Sequence, residues 1–298
     1  MFFNFFPIEY DEPLFRPPSE ANSLIFQITL GCSWNRCAFC EMYTSKKFRI
    51  INEEDILKDI QTAAKIFPDV RKIFLADGNP MVLSTEKLLF VLKNIKHYFP
   101  KFTRISTYAL PHNILSKTNE ELRMLKEAGL KQLYVGIESG DDEVLARVQK
   151  SETFDSTVEG LLKAKEAGMK LSVIILNGLG GKKYSEQHAV NSAKVLNVIQ
   201  PEFASSLILS FPFGEKKYQD RFHGEYISMS VSELLHEMKM FIEHTELKST
   251  IYRSNHASNY LNLEGVLSKD KNSLLEKLKF AIDNPDMAGL RNEWERGL

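Results

Sequence analysis

Six short apolar runs punctuate this chain, and the intervals between them limit what it can fold into. They lie at 24–30, 72–76, 103–108, 132–138, 170–176 and 203–210. Each ends in a polar or glycine-bearing turn, and a segment of helical periodicity follows. Parallel strands joined by crossover helices need about 30 or more residues per unit, which this spacing supplies. The pattern predicts an α/β fold of six strand–helix units over 24–247. Residues 1–23, held extended by Pro7, Pro13, Pro17 and Pro18, read as an N-terminal arm. Residues 248–298 read as a C-terminal extension capping the strand ends.

All three cysteines of the 298 residues, Cys32, Cys37 and Cys40, fall in one loop after the first run. Thiols scattered through a core do not gather in this way. A soft metal centre needs such a cluster, because thiolates are preferred ligands of zinc and of iron–sulfur clusters. Two ligand sets remain open. A structural zinc site would need a distant fourth ligand such as His97, His112 or His256. A four-iron cluster on three thiolates would leave one iron free to bind a small molecule.

Composition narrows the function classes. Formal net charge is −1, with 43% hydrophobic and 26% charged residues, which fits an ordinary globular chain. The basic excess of a phosphate-backbone binder is missing, so no nucleic-acid partner is expected. No apolar run approaches the ~20 residues that span a bilayer, so no membrane partner is expected. The aromatic opening at 1–7 lacks the basic start of a signal peptide, and Glu9, Asp11 and Glu12 follow it closely. Cysteines kept as metal ligands fit a reducing compartment, and a cytoplasmic location is expected.

The other candidates sit at strand ends. Asp77-Gly78-Asn79-Pro80 is a polar turn after the second run. Ser106 and Tyr108, two apart, share one face of the third strand and are placed on the interior. Glu138 ends an apolar strand, where a carboxylate is costly unless hydrogen-bonded. The glycine run at 177–181 lets backbone approach a ligand but lacks the lysine of a P-loop. Lys46-Lys47-Phe48-Arg49 reads as a solvated basic patch, with contact to an anionic group near the cysteine loop as the alternative. Residues 215–230 read as a polar connection. The loop at 253–260 is dense in hydrogen-bonding groups, and His256 is its candidate acid or base.

The cysteine loop resembles the cluster motif of the radical S-adenosylmethionine (radical SAM) superfamily: Cys, three residues, Cys, two residues, Cys, with an aromatic before the last Cys. Phe39 and the Cys37–Cys40 spacing match, while four residues separate Cys32 from Cys37. The resemblance implies an open six-unit (β/α)6 partial TIM barrel of the radical SAM type. It implies a [4Fe-4S] cluster on Cys32, Cys37 and Cys40, with S-adenosylmethionine on the open iron. One-electron cleavage would then yield a 5′-deoxyadenosyl radical that abstracts hydrogen from a small-molecule or peptide substrate. An electron donor such as flavodoxin or ferredoxin is implied as partner.

By the same resemblance, Asp77, Gly78 and Asn79 stand where the family holds the methionine amino group. Gly136-Ile137-Glu138-Ser139-Gly140 is similar to the fourth strand of the coproporphyrinogen oxidase and methylthiotransferase kind. There Glu138 hydrogen-bonds the cofactor, and Lys150 stands where its carboxylate is bound. Phe39, Ser106, Ser172, Gly178 and Leu179 complete the implied cofactor contacts, with Tyr108 and His256 as candidate catalytic groups. No thiol is left over for a second cluster, which disfavours sulfur insertion. A non-catalytic iron–sulfur or zinc-binding interaction protein is the alternative.

Overall fold

The computed structural model describes residues 8–296. The readings placed on residues 1–7 lie outside the described residues. The strands are β1 (Leu24–Gln27), β2 (Thr29–Leu30), β3 (Arg49–Ile50), β4 (Lys72–Ala76), β5 (Arg104–Tyr108), β6 (Leu130–Glu138), β7 (Lys170–Asn177), β8 (Phe203–Ile208), β9 (Ile251–Arg253) and β10 (Glu264–Val266). The helices are α1 (Glu53–Ile66), α2 (Thr85–Tyr98), α3 (Pro111–Leu115), α4 (Asn119–Glu127), α5 (Asp142–Arg147), α6 (Phe154–Glu166), α7 (Gly181–Ile199), α8 (Glu215–Arg221), α9 (Val231–Glu243) and α10 (Leu267–Asp283). Eight strands form one sheet in the order β1-β4-β5-β6-β7-β8-β9-β10, while β2 and β3 pair antiparallel by themselves. β1, β4, β5 and β6 pair parallel in succession, as do β7, β8 and β9. Within the C-terminal extension β9 pairs with β8, and β10 adds to it antiparallel. No described helix is long and apolar enough to cross a membrane.

Helix starts follow from capping chemistry. The Asn52 side chain accepts the Asp55 N–H, Ser84 accepts that of Lys87, and Thr118 with Glu121 forms a full capping box. Gly168 lies past α6 at φ +83°, a backbone that L side chains rarely adopt. The polar connection expected at 215–230 is instead helical at its start. Tyr218, Phe222 and Tyr226 recur every four residues, and all three are buried in one apolar cluster.

The described chain divides into two compact units. The first takes in residues up to 35, 40–134 and 163–170; the second takes in 36–39, 135–162 and 171 onward. In the first, Phe26 of β1 packs on Phe99 at the end of α2. The opposite face of the sheet carries Ile25, Phe74, Ala76, Tyr108 and Tyr134, and the arm's Tyr10 and Leu14 cover it. A third arm residue anchors there. Glu20 is fully buried and accepts from Arg104 Nη2 (2.6 Å), Tyr134 Oη (2.6 Å), Ser106 Oγ (3.0 Å) and Ser23. A buried carboxylate is tolerable only when its oxygens are filled in this manner.

Lys46 departs from the solvated-patch reading. It is buried, and its ammonium sits 3.0 Å from Asp77 Oδ2 and 3.2 Å from Asp11 Oδ1. A cation in the interior holds its charge only beside carboxylates.

Glu20→Ala leaves Arg104 and three hydroxyls facing an empty position, and is expected to cost about 3–5 kcal/mol of unfolding free energy. Urea unfolding followed by circular dichroism checks this. A midpoint equal to that of the parent would show that the arm does not anchor the sheet.

Candidate functional site

In the first unit, the chain carries hydrogen bonding past the ends of β1 and β4. Ile28 N–H donates to Ala76 O (2.7 Å), Asp77 N–H to Thr29 O (3.1 Å) and Gly78 N–H to Gly31 O (3.2 Å). This ladder lays the Asp77-Gly78 turn against Cys32. A Cβ on Gly78 would stand 2.9 Å from Cys32 Cβ, 3.1 Å from Cys32 Cα and 2.8 Å from the Tyr43 ring. Only glycine permits so close an approach.

The side chains beside this turn are already engaged. Asp77 Oδ2 accepts from Gly31 N (3.2 Å) and Lys46 Nζ (3.0 Å). Burial raises the Asp77 pKa, against the lowering by Lys46 and the Gly31 N–H. Asn79, fully buried, donates to Ser33 Oγ (2.8 Å) and Asn113 Oδ1 (2.5 Å) and accepts from Leu110 N (3.3 Å). It braces the cysteine loop through Ser33. Ser106 is spent on Glu20, and Tyr108 packs edge-on against Phe74 at 5.1 Å.

Tyr43 carries no such engagement. Its hydroxyl is buried and makes no hydrogen bond. Burial raises its pKa, as do the neighbouring Tyr108, Asp77, Cys40 and Cys32, so it remains a neutral phenol. The sequence reading passed over Tyr43. Its position three residues past Cys40 was the available signal.

In the second unit, Cys37-Ala38-Phe39 is held from two sides. Ala38 N–H donates to Val148 O (2.8 Å), and Arg221 at the end of α8 donates to Cys37 O (2.7 Å). Ala38 is buried among Val144, Val148, Leu179 and the aromatics of α8, and Phe39 packs against that cluster. Tyr218 Oη donates to Leu179 O (2.7 Å) and Tyr226 Oη to Gly178 O (3.0 Å). Phe39, Gly178 and Leu179, predicted separately, are thus tied to one cluster. Ser172 and Ile174 alternate on the strand face that carries Leu176, which also packs there. Arg221 had no sequence signal, because a surface helix ending in arginine is ordinary.

Glu138 and Lys150, twelve residues apart, come within 3.7 Å, with side chains 13% and 5% exposed. Burial raises the Glu138 pKa, and Lys150 opposes that shift. Glu138 has φ +65°, strained for a residue with a side chain. Its carboxylate folds back over Gly136, where a Cβ would stand 2.0 Å from Oε1. His256 lies apart from these groups in its bonding. Its Nδ1 meets Ser258 Oγ (2.9 Å) and accepts from Ser258 N (3.1 Å), and Arg291 donates to its carbonyl. Burial and the Arg291 charge lower its pKa.

The donor set suits an iron–sulfur cluster. Three cysteines share one short loop, a bare glycine backs Cys32, and an unpartnered phenol is buried close by. Among the described residues, no three His, Cys, Asp or Glu side chains form a ready-made cage. Uncompensated thiolates repel one another, and metal sites are commonly completed by the metal itself.

A strand–helix sheet with a three-thiolate loop at the end of its first strand defines the radical SAM class. The profile of the Radical SAM superfamily matches residues 26–195, more than half of the chain, and the chain belongs to that superfamily. Its members use a [4Fe-4S] cluster and S-adenosylmethionine. The heme chaperone HemW of Bacillus subtilis (strain 168) is 26% identical over 147 residues, 49% of this chain and 38% of that protein. GTP 3′,8-cyclase of Aquifex aeolicus (strain VF5) is 31% identical over 150 residues, 48% of this chain and 44% of that protein. The chain therefore spans about four-tenths of the length of these relatives. Coproporphyrinogen III oxidase (HemN) from Escherichia coli, a radical SAM enzyme, has a TM-score of 0.57 at 16% identity, covering 74% of this chain and 52% of that one. Methylornithine synthase (PylB) has a TM-score of 0.52 at 14% identity, covering 87% and 81%. These two structures share the fold.

Gly78→Ala forces a methyl into Cys32 and the Tyr43 ring. It is expected to weaken iron retention about 10- to 100-fold, as loss of support around a metal site does. Iron content per chain after anaerobic reconstitution and gel filtration measures this. Full iron in the alanine variant would show that the contact does not shape the loop.

Proposed function

We propose that this chain is a radical SAM enzyme that cleaves S-adenosylmethionine reductively and uses the resulting radical to abstract hydrogen from a substrate. The observation that carries the reading is the cysteine loop, whose first cysteine is backed by the bare Gly78 beside the unpartnered Tyr43 hydroxyl. Cys32, Cys37 and Cys40 would hold the cluster, leaving one metal position for a small ligand. With cluster and cofactor bound, the chemistry supplied there is one-electron cleavage to a 5′-deoxyadenosyl radical.

This chain's residues bind, orient and exclude water. The bare Gly78 lets Cys32 and the Tyr43 ring seat against the turn, which fixes the first cysteine for the metal. Glu138 accepts hydrogen bonds from cofactor hydroxyl or ammonium groups. Lys150 neutralises the Glu138 charge and offers its ammonium to the cofactor carboxylate. Tyr226 and the Gly181 N–H fill the Gly178 carbonyl, while Tyr218 fixes the Leu179 carbonyl, which keeps a second lone pair for an adenine amine. The aromatic cluster around Ala38 and Phe39 keeps water from the loop that carries Cys37. The chain needs an electron donor of the flavodoxin or ferredoxin kind.

Anaerobic reconstitution with iron and sulfide, then cofactor and dithionite, tests the reading. Release of 5′-deoxyadenosine is expected, with about a hundred-fold loss or more in Cys37→Ser. A full cluster that releases none would favour the interaction-protein alternative. One zinc and no iron in the anaerobically purified chain would remove the cluster altogether.

A further inference from the structure

The backbone at Glu138 makes an unusual turn. Ser139 N–H donates back to Ile137 O at 2.8 Å, spanning a single residue, and that residue, Glu138, has φ +65°. This is the γ-turn of positive φ, the rare and strained kind. Such a turn persists only where its surroundings hold it.

One face of α7 holds it. Gln187, His188, Asn191 and Ser192 lie at i, i+1, i+4 and i+5, and all four grip the segment after Glu138. His188 Nδ1 meets Ser139 Oγ at 2.8 Å, and Ser192 Oγ accepts from Gly140 N at 2.9 Å. Gln187 and Asn191 donate to the two oxygens of Asp141, at 2.9 Å and 2.8 Å. Gly140 sits so close to α7 that a Cβ would stand 2.2 Å from Asn191 O.

His188 continues the chain of contacts. It is fully buried, and its Nε2 faces Glu237 Oε1 of α9 at 3.8 Å. The same Oε1 accepts the Gly178 N–H at 2.6 Å. Ser139 Oγ also accepts from Asp141 N (3.0 Å). In the tautomer where the Ser139 hydroxyl donates to Nδ1, the imidazole N–H lies on Nε2, toward the carboxylate. At 3.8 Å this is a polar approach and not a hydrogen bond, and Nε2 of His188 and Oε2 of Glu237 are both buried without a hydrogen-bond partner.

We infer that His188 is a positioning residue for cofactor binding: through its hydrogen bond to Ser139 it holds the strained turn that aims the Glu138 carboxylate. A segment that the proposed function assigns to S-adenosylmethionine is thereby set by a buried imidazole that acts on it through Ser139. The inference rests on that assignment.

The test is equilibrium binding of S-adenosylmethionine to the anaerobically reconstituted chain, with iron content and thermal midpoint recorded for each protein. His188→Leu is expected to bind about five- to ten-fold more weakly at unchanged iron content. Ser139→Ala is expected to match it, and the double variant to be no worse than either, because all three cut the same link. His188→Asn, whose amide can meet Ser139 where Nδ1 does, is expected to recover most of the affinity. A lowered thermal midpoint with parental affinity in both His188→Leu and Ser139→Ala would overturn the inference, since the brace would then be structural alone. Should His188→Leu fail to fold, Ser139→Ala decides the matter in the same assay. Absence of binding by the iron-loaded parent would overturn the cofactor assignment itself, a result distinct from parental affinity in the variants.

Discussion

The site in the first unit depends on a backbone ladder that does not stop where its strands stop. Strand pairing ordinarily ends with the strands, and the loops then diverge. Here Ile28, Asp77 and Gly78 keep donating across to Ala76, Thr29 and Gly31. The loop that starts at Gly31 is thus registered against the turn after β4 before any side chain is considered. A thiolate loop on free backbone would lose much conformational entropy on closing around metal. A loop whose first cysteine is already seated against Gly78 has less to lose. The contact tolerates no side chain at residue 78, which ties the turn's composition to the cysteine's position.

In the second unit the constraint is strain with compensation. A residue bearing a carboxylate adopts positive φ at the end of β6, and its side chain lies over a glycine in the same strand. Both features are costly in isolation, by about 1–3 kcal/mol for the backbone. They coexist with a dense polar clamp from α7, and the carboxylate has a buried lysine within reach. Strain at a candidate ligand-binding group, held by groups that bind nothing themselves, is the form that preorganisation takes in a folded chain.

The sequence made legible what is local or periodic. Caps at Asn52, Ser84 and Thr118, the strand runs and the cysteine loop all declare themselves within a few residues. The aromatic period of 218–226 was equally local, yet Lys216, Lys217, Gln219 and Asp220 mask it when the stretch is read by average polarity. Other features were illegible for a physical reason. Glu20 finds its partners 84 to 114 residues away, and nothing near it marks it as buried. Ser106 points to the face expected of it, but the arm reaches its hydroxyl first. His188 reads as one polar residue on an amphipathic helix until Ser139 and Glu237 are placed beside it.

That last contrast bears on where specificity resides in such a chain. The superfamily match covers 26–195 and includes the cysteine loop, Gly78, Glu138, Lys150 and Gly178. The arm's Tyr10, Leu14 and Glu20 lie outside it, as do Arg221, Tyr218, Tyr226 and Glu237. The residues proposed to face the cofactor therefore fall within the common segment, while several that cover or brace them come from flanking segments. The arm takes up hydroxyls of β5 and β6 that would otherwise be open to a ligand, and α8 grips the carbonyl of Cys37. A core held in common can serve different substrates when the flanking chain decides which of its polar groups stay exposed.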